Sequence, residues 1–167
     1  MFNIGDLVIY STHGICHIDD ICEKTYSDIT KNYYVLHPVE DSKLTISTPV
    51  DNDKVIMLEL IHKEEAEEIL ESFKHQGTDW IELSNYRTQI YYETVKSGSR
   101  REISKILNTL MREKHKAEIK GKKLNEPDNK LLKFIQSILF AELAVSMNTT
   151  FEAIYEKAVS LINENTD

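Results

Sequence analysis

Cysteine is scarce: Cys16 and Cys22 are the two in 167 residues. That is too few for a disulfide framework and in keeping with a reducing cytosol. No run approaches the roughly eighteen consecutive apolar residues of a membrane-crossing helix, so no membrane partner is expected. The opening Met-Phe-Asn-Ile-Gly-Asp has no basic segment leading into an apolar one, so no secretory signal is expected and the expected location is cytoplasmic. No P-loop, G-x-G-x-x-G, H-E-x-x-H or G-x-S-x-G motif occurs. The run of Glu64, Glu65, Glu67 and Glu68 reads as a charged helix face, because no nucleophile or pocket motif accompanies it. Neither an enzyme nor a cofactor is expected. His13, Cys16, His17 and Cys22 are close in sequence, but C-x5-C is wider than the C-x2–4-C knuckle of a structural zinc site. Strand alternation places both cysteines on one face, as two small core residues would be, and no metal is expected there.

Glycine and proline are also few, five and three, and such residues punctuate periodic patterns. Tryptophan occurs once, at Trp80.

What the chain has instead is charge, unevenly spread. Its net charge is −8, yet Arg87 to Lys133 holds thirteen Lys and Arg against six Asp and Glu, leaving −15 for the remainder. A basic patch within an acidic molecule attracts phosphate locally while the rest repels it. Such a separation suits a protein brought to nucleic acid by a partner more than an autonomous binder. The composition, 41% hydrophobic and 29% charged, is that of a globular chain with room for one domain or two small ones.

Residues 1–60 read as β. Leu7-Val8-Ile9-Tyr10 is a short apolar run between turn-like Gly5-Asp6 and Ser11-Thr12-His13-Gly14. Ile15 to Cys22 follows, and a polar stretch from Lys24 to Asn32 breaks the pattern. Tyr33 to Leu36 closes at Pro38, Leu44 to Thr48 alternates up to Pro49, and Val55 to Leu58 is a fifth candidate. Five short strands with brief connections suit a small SH3- or Tudor-like barrel with an edge strand free for a partner.

From residue 61 the period becomes helical. Lys63 to Leu70 starts acidic, as the helix dipole favours, and His75 to Asp79 interrupts it. Ser99-Arg100-Arg101-Glu102 is a capping box ahead of the stripe Ile103, Ile106, Leu107, Leu110 and Met111. Asn125 and Pro127 suit the start of a helix whose apolar side carries Leu132, Ile135, Leu139 and Leu143, widened by Leu131, Phe134, Ile138 and Ala141. Thr149-Thr150-Phe151-Glu152 is a second capping box, before Phe151, Ile154, Tyr155, Ala158 and Ile162. The expected class is therefore α+β: a β-barrel over 1–60 followed by an α-helical bundle over 61–167.

In order along the chain stand Gly5-Asp6-Leu7-Val8-Ile9-Tyr10, His13-Gly14, Tyr34-Val35-Leu36 and Leu44-Thr45-Ile46 before Pro49. Then come Thr78-Asp79-Trp80, Arg87, Lys96-Ser97-Gly98, Arg100-Arg101-Glu102, Gly121-Lys122-Lys123-Leu124 with Asp128, and Ala141-Glu142-Leu143-Ala144. Their order and spacing over nearly the whole chain resemble the CarD family of bacterial transcription regulators. The resemblance implies a Tudor-like domain of the kind shared with transcription-repair coupling factors, binding the RNA polymerase β subunit. It further implies a helical domain that reaches the upstream edge of the promoter bubble, where a tryptophan wedges into the minor groove and favours the melted promoter, with little sequence preference.

On that resemblance the polymerase contact falls to Lys24, Leu44, Thr45, Ile46, Ser47 and Thr48, and the DNA contact to Trp80, Arg87, Arg100, Arg101 and Lys130. Lys24 and Ser47 stand where some members have arginines. The Trp80 to Ser97 spacing is about one helical turn longer than in some members, and without that turn Ser84 would take the wedge position. By itself a lone tryptophan is more often a packing residue, and Arg112 to Lys123, with Glu113 and Glu118 interspersed, also suits a solvated helix face. A helical-domain repressor acting without polymerase and a pure protein–protein scaffold are the alternative functions.

Overall fold

A computed structural model describes residues 1–10 and 13–165, and the chain divides into two compact units, Met1–Leu60 and Ile61–Asp167. In the first, five antiparallel strands, β1 (Leu7–Tyr10), β2 (Gly14–Tyr26), β3 (Ile29–Pro38), β4 (Ile46–Pro49) and β5 (Met57–Glu59), form one sheet in the order β4-β3-β2-β1-β5. The expected barrel does not close. β4 and β5 are the two edges, and among the described residues neither pairs with the other. β5 contributes three residues and β4 four, the last being Pro49, which has no N–H to give a closing ladder. Ser11 and Thr12, expected in the first turn, lie outside the described residues.

A second departure is the hairpin. The polar stretch from Lys24 to Asn32 does not break the sheet but carries the β2–β3 ladder outward, with pairs from Cys16↔Pro38 to Tyr26↔Ile29. Ser27 and Asp28 turn the chain with φ of 50° and 65°. Positive φ at both central residues of a two-residue loop marks the turn whose twist matches a hairpin. The pattern of exposure explains why sequence periodicity misses it, since Thr25 to Asn32 is exposed on both faces. The base of the sheet holds the core: Val8, Tyr10, Cys16, Ile18, Tyr34 and Leu36, edged by Phe2, Ile21, Ile46, Val50, Val55 and Met57.

The second unit contains α1 (Lys63–Glu71), a 3-10 turn (Ser72–Lys74), α2 (Ser84–Lys96), α3 (Arg100–Ile119), α4 (Glu126–Ser146) and α5 (Phe151–Glu164). The caps follow from side-chain chemistry. Ser99 Oγ accepts from Glu102 N at 3.4 Å, and Asn125 Oδ1 from Asp128 N at 3.0 Å. Before α5 the cap is Thr150, one residue beyond the capping-box register, with Oγ1 accepting from Ala153 N at 3.2 Å. Just past α3, Gly121 has a φ of 69° that lets Lys122 N reach back to Ala117 O at 2.8 Å.

The core of this unit joins Ala66, Ile69, Leu70 and Phe73 to Tyr91, to Ile106, Leu107, Leu110 and Met111, and to the inward faces of α4 and α5. α4 is less enclosed than its composition suggests, because Phe134 remains 43% exposed. Glu142, buried on α4, accepts from Ile61 N at 3.0 Å and from Arg100 Nε at 3.2 Å, fixing where the chain enters this unit and where α3 begins. Among the described residues no single helix is long and apolar enough to cross a membrane.

Candidate nucleic-acid interface

The loop from His75 to Leu83 carries Trp80, and its geometry is dictated by polar side chains on the inward side of α3. Thr109 Oγ1 donates to Thr78 O at 2.7 Å, and Asn108 Nδ2 to His75 O at 2.8 Å. Arg112 reaches Phe73 O at 2.8 Å and His75 O at 3.0 Å, and its Nε donates to Asn108 Oδ1 at 2.8 Å. Burial pulls the Arg112 guanidinium below its ordinary value, yet an arginine stays charged at neutral pH. Gly77 passes so close to α3 that a Cβ there would lie 2.3 Å from Lys105 O and 2.4 Å from Thr109 Oγ1. Backbone carbonyls that a free loop would leave to water are therefore tied to one helix.

Behind the tryptophan is a buried ion pair. Arg87, on α2, is 3% exposed and Asp128, in the first turn of α4, is 2% exposed. Their bidentate contact runs Nε to Oδ1 at 3.0 Å and Nη2 to Oδ2 at 2.5 Å. Arg87 Nη1 also donates to Ile81 O and, at 3.3 Å, to Glu82 O. Its guanidinium carbon stands 3.9 Å from the Trp80 ring centroid. Tyr91 OH donates to Asp79 O at 3.2 Å, and burial raises that hydroxyl's pKa, so it is a donor throughout the neutral range. Trp80 itself is partly buried against the helical core. Its neighbours Leu83 and Tyr86 are 73% and 54% exposed. A cleft lined by Gln76, Thr78, Trp80, Arg112, His115 and Lys116 opens beside the ring.

Two of the arginines expected to grip DNA are therefore turned inward. Arg87 holds Asp128, two carbonyls and the Trp80 face, and at 3% exposure its guanidinium is not presented to a phosphate. Arg100 is 13% exposed, bonded to Glu142 and to Gly98 O at 3.1 Å. A cation count cannot separate a surface charge from a buried one whose partner lies 41 positions away, as Asp128 does from Arg87. Arg101 and Lys130 are on the surface, the first paired with Glu68 at 2.7 Å and the second with Glu126 at 3.5 Å. Exposed pairs of this kind contribute little and exchange readily for a phosphate. Lys105, Lys114 and Lys116 likewise pair with carboxylates three or four residues away. Among the described residues, Lys96, Lys120, Lys122, Lys123 and Lys133 are exposed and enter no such pair.

Sequence reasoning missed Asn108, Thr109 and Arg112 as the residues that shape the loop. The available signal was polar residues falling beside the Leu107 and Leu110 stripe.

In the sheet unit, Lys24 Nζ donates to Ser47 Oγ at 2.7 Å and sits 5.9 Å from the Tyr33 ring centroid, so the hairpin and β4 meet on one face. Ser47 is exposed and Ile46 is partly buried against the core. Leu44 and Thr45 are exposed but precede β4 instead of forming part of it. Thr48 points inward at 2% exposure, its Oγ1 accepting from Asn52 Nδ2 at 3.1 Å, so its side chain is not available to a partner. Among the described residues no strand pairs with the outer edge of β4.

The open antiparallel sheet unit and the capped helical unit with its braced tryptophan loop each match a known family domain. Residues 2–61 match the CarD-like/TRCF RID domain and residues 68–159 match the CarD C-terminal domain, so the chain belongs to the CarD-like family of transcription regulators. Over 161 residues it is 29% identical to the Bacillus subtilis (strain 168) protein named "Putative transcription factor YdeB", covering 92% of this chain and 97% of that one.

Proposed function

We propose that this protein is a non-enzymatic adaptor that binds the RNA polymerase β subunit through its sheet unit and steadies the melted promoter through its helical unit. On the polymerase side, the reading is supported by the tandem of matched domains and by the open outer edge of β4, where Lys24 and Ser47 stand together. An unpaired edge offers main-chain donors and acceptors to an added strand. Lys24, the exposed Leu44 and Thr45, the backbone of Ile46 and Thr48, and the Ser47 side chain form that contact.

On the DNA side, the observation that carries the reading is the bracing of Trp80. Stacking on a base is worth roughly 1–3 kcal/mol, and apolar wedges stabilise distorted minor grooves. A ring already fixed by Arg87 and by a tied-down loop loses little freedom on inserting, so more of that energy reaches the complex. Arg101, Lys130 and the unpaired lysines supply phosphate contacts that position without reading sequence. Arg87 and Arg100 act from within, by holding the loop and the start of α3.

The test is capture of polymerase by the full chain and by Lys24→Glu. The wild-type chain is expected to retain the β subunit, and reversal of the Lys24 charge to reduce recovery without unfolding the protein. No recovery by the wild type sinks the partner assignment.

A further inference from the structure

The β2–β3 hairpin carries a group of side chains that the transcriptional reading does not use. His17 and His37 are direct cross-strand partners, and their rings stack with centroids 5.5 Å apart and planes 25° apart. Asp19 lies at the one irregularity in this ladder: Ile18 pairs with Leu36 and Asp20 with Val35, leaving Asp19 with no cross-strand partner. A bulge re-aims a side chain, and here it delivers a carboxylate to both imidazoles. Asp19 Oδ2 is 2.7 Å from His37 Nδ1, and Asp19 Oδ1 is 3.3 Å from His17 Nδ1. One ligand atom from each of the three residues lies within 4.8 Å of the other two. The His17 nitrogen is buried and has no hydrogen-bond partner, since its contact with Asp19 is not aligned as a hydrogen bond. An unsatisfied nitrogen beside a carboxylate and a second imidazole leaves a donor set incomplete as it stands.

We propose that His17, Asp19 and His37 form a binding site for a divalent transition-metal ion of the zinc class. Two imidazole nitrogens and one carboxylate are a donor set that such borderline ions accept, whereas calcium and magnesium require mostly oxygen. Ligand atoms held about 2.0–2.2 Å from a tetrahedral ion stand about 3.3–3.6 Å from one another. The His17–Asp19 pair already has that separation, and the His37–Asp19 hydrogen bond opens by about 0.6 Å to reach it. The side chains are 42%, 38% and 26% exposed for His17, Asp19 and His37, which places the group at the surface of the sheet although the His17 Nδ1 atom itself is covered. Three protein ligands leave one position for water or for a group from a partner. The thiols that make the sequence suggestive are not the ligands: Cys16 is fully buried in the sheet core, in a position that alternates with His17.

Calorimetric titration of the full chain with zinc chloride tests the site. One saturable zinc ion per chain is expected. His17→Gln, His37→Gln and Asp19→Asn are each expected to weaken binding at least tenfold while circular dichroism stays unchanged, because loss of even a supporting contact commonly costs 10- to 100-fold in metal affinity. Cys22→Ser and His115→Gln are expected to leave binding as in the wild type. No saturable binding, or binding that survives His17→Gln combined with His37→Gln, or binding lost on Cys22→Ser, overturns the assignment. None of these outcomes depends on polymerase.

Discussion

Replacing Asp128 by Ala isolates the contribution of the ion pair behind Trp80. The substitution strands the Arg87 guanidinium, 3% exposed, without its carboxylate. Removing one partner of a buried pair typically costs 3–5 kcal/mol, because the remaining charge stays desolvated. Arg87 keeps the Ile81 and Glu82 carbonyls and the Trp80 ring, which places the cost near the low end, about 3 kcal/mol. Asp128 also lies in the first turn of α4, where a carboxylate adds roughly 0.3–1 kcal/mol through the helix dipole. For a unit of this size such a loss lowers the melting temperature by on the order of 10–20 °C.

Urea denaturation followed by circular dichroism reads the stability. Acrylamide quenching of the single tryptophan reads the loop and is expected to rise in the native state. Arg87→Met combined with Asp128→Leu is the counterpart. Apolar replacement of both partners is expected to recover most of the stability without restoring the guanidinium over the ring, so quenching stays high. A loss below about 1 kcal/mol for Asp128→Ala, with quenching unchanged, would mean that the pair is open to water and that Arg87 does not hold Trp80.

Other perturbations probe separate parts. Gly77→Ala places a methyl group within 2.3 Å of Lys105 O and 2.9 Å of Thr109 N, both backbone atoms. Overpacking of this sort costs about 1–3 kcal/mol, so wild-type stability by urea denaturation would refute the close approach. Asn125→Ala removes the α4 cap and is expected to cost about 1 kcal/mol by the same assay, and a null result would mean that another group satisfies Asp128 N. Cys16 is fully buried and its thiol is pushed up to about 11 by that burial, so its thiolate is scarce at neutral pH and becomes available only as pH rises toward that value. A disulfide reagent at pH 8 is therefore expected to modify Cys22 quickly and Cys16 only after denaturation, whereas two fast thiols in the folded protein would contradict the packing of the sheet core.

Several elements were readable because they start or stop on a residue with a definite local preference, whereas α1 and α2 begin after His62 and Leu83 with no side-chain cap. Ser99 and Asn125 cap where expected, Gly98 and Gly121 mark helix ends, and the α3 stripe from Ile106 to Met111 is buried. The outer half of the hairpin was not readable, because neither of its faces is buried and its strands lack the alternation that periodicity detects. Closure of the sheet was likewise beyond local signals, since it depends on whether two distant edges meet. The tryptophan loop could be located but not understood. Thr78-Asp79-Trp80 marks the place, whereas the role of Arg87 is set by Asp128, Ile81 and the ring together, contacts that only the tertiary fold creates. The same limit applies to His17, Asp19 and His37, whose grouping depends on a bulge and a register that the Cys and His spacing did not disclose.

The bracing of Trp80 matters only if the ring acts on the promoter. The most direct measurement is the lifetime of the polymerase–promoter open complex with the wild-type chain and with Trp80→Ala, each at a concentration that saturates polymerase. A lost stacking contact of about 1–3 kcal/mol shortens the lifetime by about 5- to 150-fold, while capture of polymerase stays as in the wild type. An unchanged lifetime, with the variant folded and bound, would contradict the claim that this tryptophan steadies the melted promoter.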